Sequence, residues 1–422
     1  MHRRLYSLLT GAALPLALAR LLWRSRRLPD YRRRWPQRLG FGPPGPAGSI
    51  WLHAVSVGEV NAALPLIDAL RQAHPHLPLL VTTTTPTGSQ HLLRRLSADI
   101  SHCYLPFDLP GAVERFFERQ RPRLGVIMET ELWPNLYAAA ETAGVPLVLA
   151  NARLSQRSAR GYARWPQLTR QTLARLGAAG AQTAKDAERL VALGLPRERV
   201  TITGNLKFDT TPADPAAGLA LRARLGQQRP VWLAASTHEG EEAAALRAHR
   251  AVLAAHPDAV LILAPRHPQR FAEVARLCRQ QGWALALRSV DDGAPCAVYL
   301  ADSLGELPSL MAAADVVFVG GSLGCSPSAH GGHNLIEPAQ QAKPSLFGPH
   351  MRNFAQLRDW VLAAGAGEQV EDETELAARL SALLSDAAQR ERMGAAALAL
   401  LAQHRGATAR TLALIERFLG SF

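Results

Sequence analysis

The chain has 422 residues and is 48% hydrophobic, enough for full cores in two domains or one large one. Its net charge is +12, but residues 1–40 hold ten Arg against one Asp, so the rest contributes only +3; charge that flanks an apolar segment instead of spreading over a folded face excludes nucleic acid as a partner. The four cysteines (Cys103, Cys278, Cys296 and Cys325) are widely spaced, which excludes a structural zinc and a disulfide framework and fits a reducing compartment.

The first element is an apolar run from Leu5 to Trp23, interrupted by Pro15 and Arg20. A full span takes about 20 apolar residues, so the run reads as a short tilted span or an interfacial helix. No small-residue cleavage site follows, which favours a retained anchor over a removed signal peptide. Arg24, Arg26, Arg27 and Arg32 to Arg34 come next. By the positive-inside rule the bulk of the chain then faces the cytoplasm, and the same Arg suit anionic membrane lipids. Gly40 to Gly48 is a Gly/Pro linker.

Strand-like and helix-like runs then alternate, the pattern of a doubly wound parallel α/β sheet. Strands are expected at Ile50–Ala54, Leu77–Thr82, Leu124–Met128, Val145–Ala150, Ala178–Gln182 and Val200–Thr203, with helices such as Pro86–Ser97, Gly111–Gln120 and Leu132–Ala143 between them. Thr210 to Pro215 reads as an interdomain linker. A second series follows at Val231–Ala235, Ala259–Ala264, Ala297–Leu300, Val316–Gly320 and Pro344–Phe347, and the last 50 residues read as Ala- and Leu-rich helix. The expected division is an anchor with its basic flank (1–40), a first Rossmann-like domain (41–209) and a second with terminal helices (210–422). Two such halves imply a ligand cleft between them.

The transition Trp51-Leu-His-Ala-Val-Ser-Val-Gly-Glu-Val60 carries the first chemical signal. Glu59 stands on a strand-to-helix turn at the carboxyl end of a parallel sheet, where α/β enzymes place ligands. The helix dipole favours its ionised form, which suits a general base; a mere capping role is the alternative. Met128-Glu-Thr-Glu-Leu-Trp-Pro134 and Gly204-Asn-Leu-Lys-Phe-Asp209 close two further strands, so Glu129 and Lys207 are candidates for the same site. In the second half, Gly320 to Ala339 is a Gly-rich strand–turn–helix with a helix expected from His333 or Asn334. Amides at such a helix start hold phosphate, and Glu337 lies one turn beyond Asn334, placed for ribose hydroxyls. Arg266 in Ala264-Pro-Arg-His-Pro268 is either an anion-pairing group or a surface Arg capping the sheet. Asp302-Ser-Leu-Gly-Glu-Leu307 opens a short helix at another strand end. His53, His330 and His333 read as satisfied or solvated, not as metal ligands. Asp291-Asp292 reads as part of a turn and is set aside, and the chain has neither a Gly-x-Ser-x-Gly elbow nor a Walker loop.

Together these segments resemble the membrane-anchored 3-deoxy-D-manno-octulosonic acid (Kdo) transferases of lipopolysaccharide synthesis. The resemblance runs from Leu5-Tyr-Ser-Leu-Leu and Tyr31-Arg-Arg-Arg-Trp35 to Ile336-Glu-Pro-Ala339, and includes Thr82-Thr-Thr-Thr-Thr-Pro-Thr-Gly-Ser89, Tyr104-Leu-Pro-Phe-Asp108, Asn151-Ala-Arg-Leu-Ser155 and Phe347-Gly-Pro-His350. It implies a GT-B fold of two Rossmann-like domains and a metal-independent, inverting transfer of Kdo from CMP-Kdo to a lipid A precursor (lipid IVA-like), with no cofactor, at the cytoplasmic face of the bacterial inner membrane. Glu59 matches the family's general base, and Glu129 and Lys207 its transition-state stabilisers. Pro265 and Arg266, Gly305, Glu306 and Leu307, and Asn334, Leu335, Ile336 and Glu337 match its CMP-binding segments. One departure is the loop Gly324 to His330, longer than the family usually has there. Two alternatives remain: a UDP-sugar-dependent GT-B transferase or epimerase, and a catalytically silent membrane scaffold.

Overall fold

The computed structural model describes residues 2–26, 28–95, 100–210, 216–290, 293, 295–324 and 330–420. The expected linker at 211–215, the pair Asp291-Asp292 and the middle of the long loop, 325–329, lie outside the described residues. The chain forms two compact units, Met1–Thr210 with His404–Phe422, and Thr211–Gln403.

The first unit holds β1 (Ile50–His53), β2 (Leu79–Thr83), β3 (Ser101–Tyr104), β4 (Leu124–Met128), β5 (Leu147–Ala152), β6 (Leu176–Ala181) and β7 (Val200–Ile202). They form one parallel sheet in the order β3-β2-β1-β4-β5-β6-β7. The second unit holds β8 (Val231–Thr237), β9 (Val260–Pro265), β10 (Leu285–Leu287), β11 (Val298–Leu300), β12 (Val316–Val319), β13 (Ser345–Phe347) and β14 (Gly367–Gln369). Its sheet is also parallel, in the order β10-β11-β9-β8-β12-β13-β14. Two doubly wound sheets are the architecture the alternating pattern predicts.

Parallel strands are covered on both faces, so the central ones are buried throughout and largely apolar, with polar exceptions such as His53 and Asn151 toward their carboxyl ends. β1 shows how alternation serves two cores. Ile50 and Leu52 join the layer of Val60, Leu66 and Ile67. Trp51 points the other way, with Phe116 and Phe117 edge-on at 5.1 and 5.7 Å. Gly125 in β4 is the room Trp51 needs: a Cβ there would lie 2.8 Å from the indole and 2.5 Å from Leu147. The strands not expected from the sequence, β3, β10 and β14, are all short edges; β3 and β14 are also partly polar, as exposed edges tend to be.

The chain end departs from expectation. The helix Ala407–Glu416 belongs to the first unit, its stripe of Ala407, Leu414 and Ile415 packing in the layer of Ile50 and Leu52. Asp209 caps it from outside, accepting the N–H groups of Gly406 and Thr408 at 2.8 and 2.5 Å.

The N-terminal helix runs unbroken from Arg3 to Ser25 through Pro15 and is long and apolar enough to cross a membrane. Ser7 Oγ donates to Asn135 Oδ1 at 2.8 Å, while Leu8, Leu16 and Trp23 stay exposed. Arg34 is not the lipid-facing residue the basic run suggests. It turns inward, its guanidinium bonded to Ser89 Oγ and His102 Nδ1 and lying 4.3 Å over the Tyr104 ring.

Replacing Asp209 by Ala removes a cap that no neighbouring side chain supplies. Urea unfolding should show a loss of about 1 kcal/mol.

Candidate active site

In the first sheet the strand order reverses between β1 and β4, and the carboxyl ends of these strands open the crevice where doubly wound folds bind ligands. After β1 the chain turns into the helix Val57–Ala73, with Glu59 in its first turn. The carboxylate bends back: Oε2 accepts the N–H of Val55 at 2.8 Å and Oε1 the hydroxyl of Ser56 at 3.4 Å. These bonds give the carboxylate the local capping role that the sequence offered beside a chemical one. The expectation that the helix start keeps it ionised is overturned. Burial, assisted by the charges of Glu129 and Glu131, outweighs the two hydrogen bonds and pushes its pKa up to about 8.

Glu129 follows β4 in a left-handed conformation, φ +56°, anchored by its N–H on Ala150 O at 2.9 Å. A non-glycine residue held there costs energy that the surroundings must offset, a frequent mark of functional positions. Lys207 Nζ lies 3.6 Å from Glu129 Oε1, with both side chains about three-quarters covered. The first unit therefore brings Glu59, Glu129 and Lys207 together from three distant segments. Asn151 does much of the positioning. It is fully buried, itself left-handed at φ +55°, and its Oδ1 accepts the N–H of Leu206, the residue before Lys207, at 3.0 Å. The motif match singled out Asn151 without a role, and this bond supplies one. Glu131 was not foreseen as part of this group; burial and the charge of Glu129 raise its pKa too.

In the second sheet the order reverses between β8 and β12. Sequence reasoning missed the residue that organises this point. Glu241 is completely buried, and its carboxylate accepts four backbone N–H groups: His238 and Gly321 on Oε2 at 2.9 and 2.6 Å, Ser322 and Leu323 on Oε1 at 2.9 and 3.0 Å. The amides at the start of the Gly-rich segment are thus bound by an internal anion. The helix expected from His333 or Asn334 begins only at Ile336 and spans five residues. Asn334 bridges the gap, Oδ1 accepting the N–H of Ile336 at 3.1 Å and Nδ2 reaching Glu337 at 3.5 Å.

The other predicted donor residues share the carboxyl edge of this sheet, each tied to local partners. Pro265 ends β9, and Arg266 follows with its side chain exposed and its N–H on Thr237 O at 2.9 Å. Gly305 takes φ +86° after β11, and Leu307 opens the helix Leu307–Ala313. Glu306 precedes that helix and is paired with Arg288 at 2.7 Å, which holds its carboxyl below the usual range. Leu335 and Ile336 are buried, so they can offer a ligand only backbone. Among the described residues no three of His, Cys, Asp and Glu are grouped to hold a metal ion.

Residues 33–210 match the family model of the 3-deoxy-D-manno-octulosonic-acid transferase (kdotransferase). Over 428 residues the chain is 39% identical to the 3-deoxy-D-manno-octulosonic acid transferase of Haemophilus influenzae, covering 99% of each chain. The enzyme of that name from Bordetella pertussis is 41% identical over 444 residues, covering 100% of each. The chain belongs to this family. It is a glycosyltransferase. Among solved structures, the UDP-GlcNAc 2-epimerase of Neisseria meningitidis superposes with a TM-score of 0.56 at 16% identity, over 88% of this chain and 99% of that one. HepE of Anabaena, solved with UDP and glucose, gives the same TM-score and identity over 88% of this chain and 100% of that one. These likenesses establish the two-domain GT-B fold.

Glu241→Gln should cost the second unit about 3 kcal/mol, because a neutral amide cannot satisfy four converging donors. Urea unfolding followed at Trp232 and Trp283 fluorescence checks it.

Proposed function

We propose that the chain transfers Kdo, with inversion and without a metal ion, from CMP-Kdo to a hydroxyl of a lipid A precursor in lipopolysaccharide synthesis. The observation that supports this most is the Glu59, Glu129 and Lys207 group at the β1/β4 crevice of a chain that belongs to the Kdo transferase family.

In this reading Glu59 accepts the proton of the attacking hydroxyl. A base is most effective when its pKa lies near the working pH, and burial moves Glu59 in that direction. As the bond to CMP breaks, positive charge develops on the sugar and negative charge on the phosphate. Glu129 and Lys207, already paired, supply preorganised charge of both signs. Pro265 and Arg266, Gly305 to Leu307 and Asn334 to Glu337 form the CMP site. The exposed Arg266 meets an anion there, and the buried Leu335 and Ile336 contribute main-chain groups.

The N-terminal helix brings the enzyme to its lipid acceptor. Its exposed Leu8, Leu16 and Trp23 meet the acyl region of the inner membrane from the cytoplasmic side, with Arg24 and Arg26 near anionic headgroups.

Incubating the full chain with freshly generated CMP-Kdo and a tetraacylated lipid A precursor, with product mass as readout, should give Kdo-bearing lipid in the presence of a chelator. No Kdo-bearing product, with CMP still bound, rejects the acceptor assignment. Glu59→Gln should lower turnover by at least about 100-fold while still binding CMP. For the wild type, kcat/KM should climb with pH and level off above about 8, since only ionised Glu59 can take the proton. A flat profile would remove Glu59 from that role.

A further inference from the structure

Four imidazoles and a guanidinium gather at the carboxyl ends of β8, β9 and β12. His238 leaves β8 almost fully buried, 5% exposed. Its Nε2 lies 2.9 Å from Nε2 of His333, with the two rings parallel to within 6°. His330 stacks on His238 at a centroid distance of 3.6 Å, and His267 meets it edge-on at 5.3 Å. Gly321, at φ +69°, makes room: a Cβ there would lie 3.0 Å from the His333 ring. Arg266 and His267 are exposed beside the buried His238 and the half-buried His333.

The acidic groups of the helix that follows His238 are engaged away from the His238 and His333 rings. Both oxygens of Glu241 are taken by backbone N–H groups. Glu242 pairs with Arg270 at 2.5 Å and accepts from Thr237 at 3.1 Å. His350 and Arg352, on the connection after β13, add no negative charge. Burial, the neighbouring rings and Arg266 hold His238 down at about 4 and His333 at about 3, so both are neutral near pH 7. What such a group lacks is an anion. One placed here would accept hydrogen bonds from Arg266 and the rings and would favour their protonated forms.

We propose that His238, His333 and His267, with Arg266, seat the phosphate of the donor nucleotide, and that its arrival draws a proton onto the imidazole pair. This rests on the CMP-sugar reading above and adds to it the groups that hold the phosphate. Calorimetric titration of the full chain with CMP and with cytidine, in two buffers of different ionisation enthalpy at about pH 7.5, separates the two ideas, because CMP is then largely a dianion. Proton uptake is expected with CMP and not with cytidine, and CMP affinity should fall as pH rises from about 7 to about 8.5. His333→Gln and His238→Gln should abolish the uptake and weaken CMP at least about tenfold while leaving cytidine affinity unchanged. Should either substitution disturb folding, His267→Gln at the exposed rim should still weaken CMP several-fold. CMP binding without proton uptake, or CMP affinity unchanged in His267→Gln, overturns this inference and leaves the donor assignment standing. Failure of the wild type to bind CMP overturns both.

Discussion

A parallel strand is covered by crossover helices on both faces, so a doubly wound sheet can meet a ligand only at the ends of its strands. At the point of order reversal the two crossovers leave to opposite faces and no helix fills the gap. Each unit places its reactive groups there. In the first, Glu59 follows β1 and Glu129 follows β4, which are adjacent strands. In the second, His238 and Glu241 follow β8 and the Gly-rich segment follows β12, again adjacent. Everything else in these regions is support for that placement.

Two buried carboxylates show how surroundings decide chemistry. Glu59 accepts two hydrogen bonds and sits near two like charges, so burial prevails and its proton is retained to about pH 8. Glu241 accepts four amide N–H bonds at one locus and serves as a fixed internal anion around which the chain after β12 bends. One residue type yields a carboxyl with a raised pKa in one unit and a structural clamp in the other. The difference is the number of donors and the sign of the neighbours.

Backbone strain follows the same geography. Glu129, Asn151 and Ser236 take positive φ without being glycine, and all three stand at the carboxyl ends of strands. Such conformations cost of order 1–3 kcal/mol each and persist where surrounding bonds fix them. Here those bonds include Glu129 N–H to Ala150 O and Asn151 Oδ1 to the amide of Leu206. Two of the positive-φ residues of the first unit thus lie at or beside the Glu129–Lys207 pair; Arg34 and Arg121 lie elsewhere in it.

The sequence by itself determined the central strands, since burial on both faces demands largely apolar residues, and it determined the strand-to-helix turns that carry Glu59, Glu129 and Arg266. The edges β3, β10 and β14 were not legible, because each has only three or four residues, and β3 and β14 also carry polar ones. Nor was the home of the helix Ala407–Glu416, whose stripe fits any apolar layer and is held in the first unit by contacts with distant residues: Ile50 and Leu52 in its layer, the carboxylate of Asp209 on its amides, and Thr203 O accepting from Arg410. Tertiary structure also decided what the sequence read wrongly. The charge of Glu59 depends on burial and on carboxylates from another strand, Arg34 turns inward onto Tyr104, and the amides after β12 are claimed by Glu241. Pattern along a chain reports which faces are buried; the energy of a charge depends on which distant groups are brought within a few ångströms of it, and only the folded chain sets those distances.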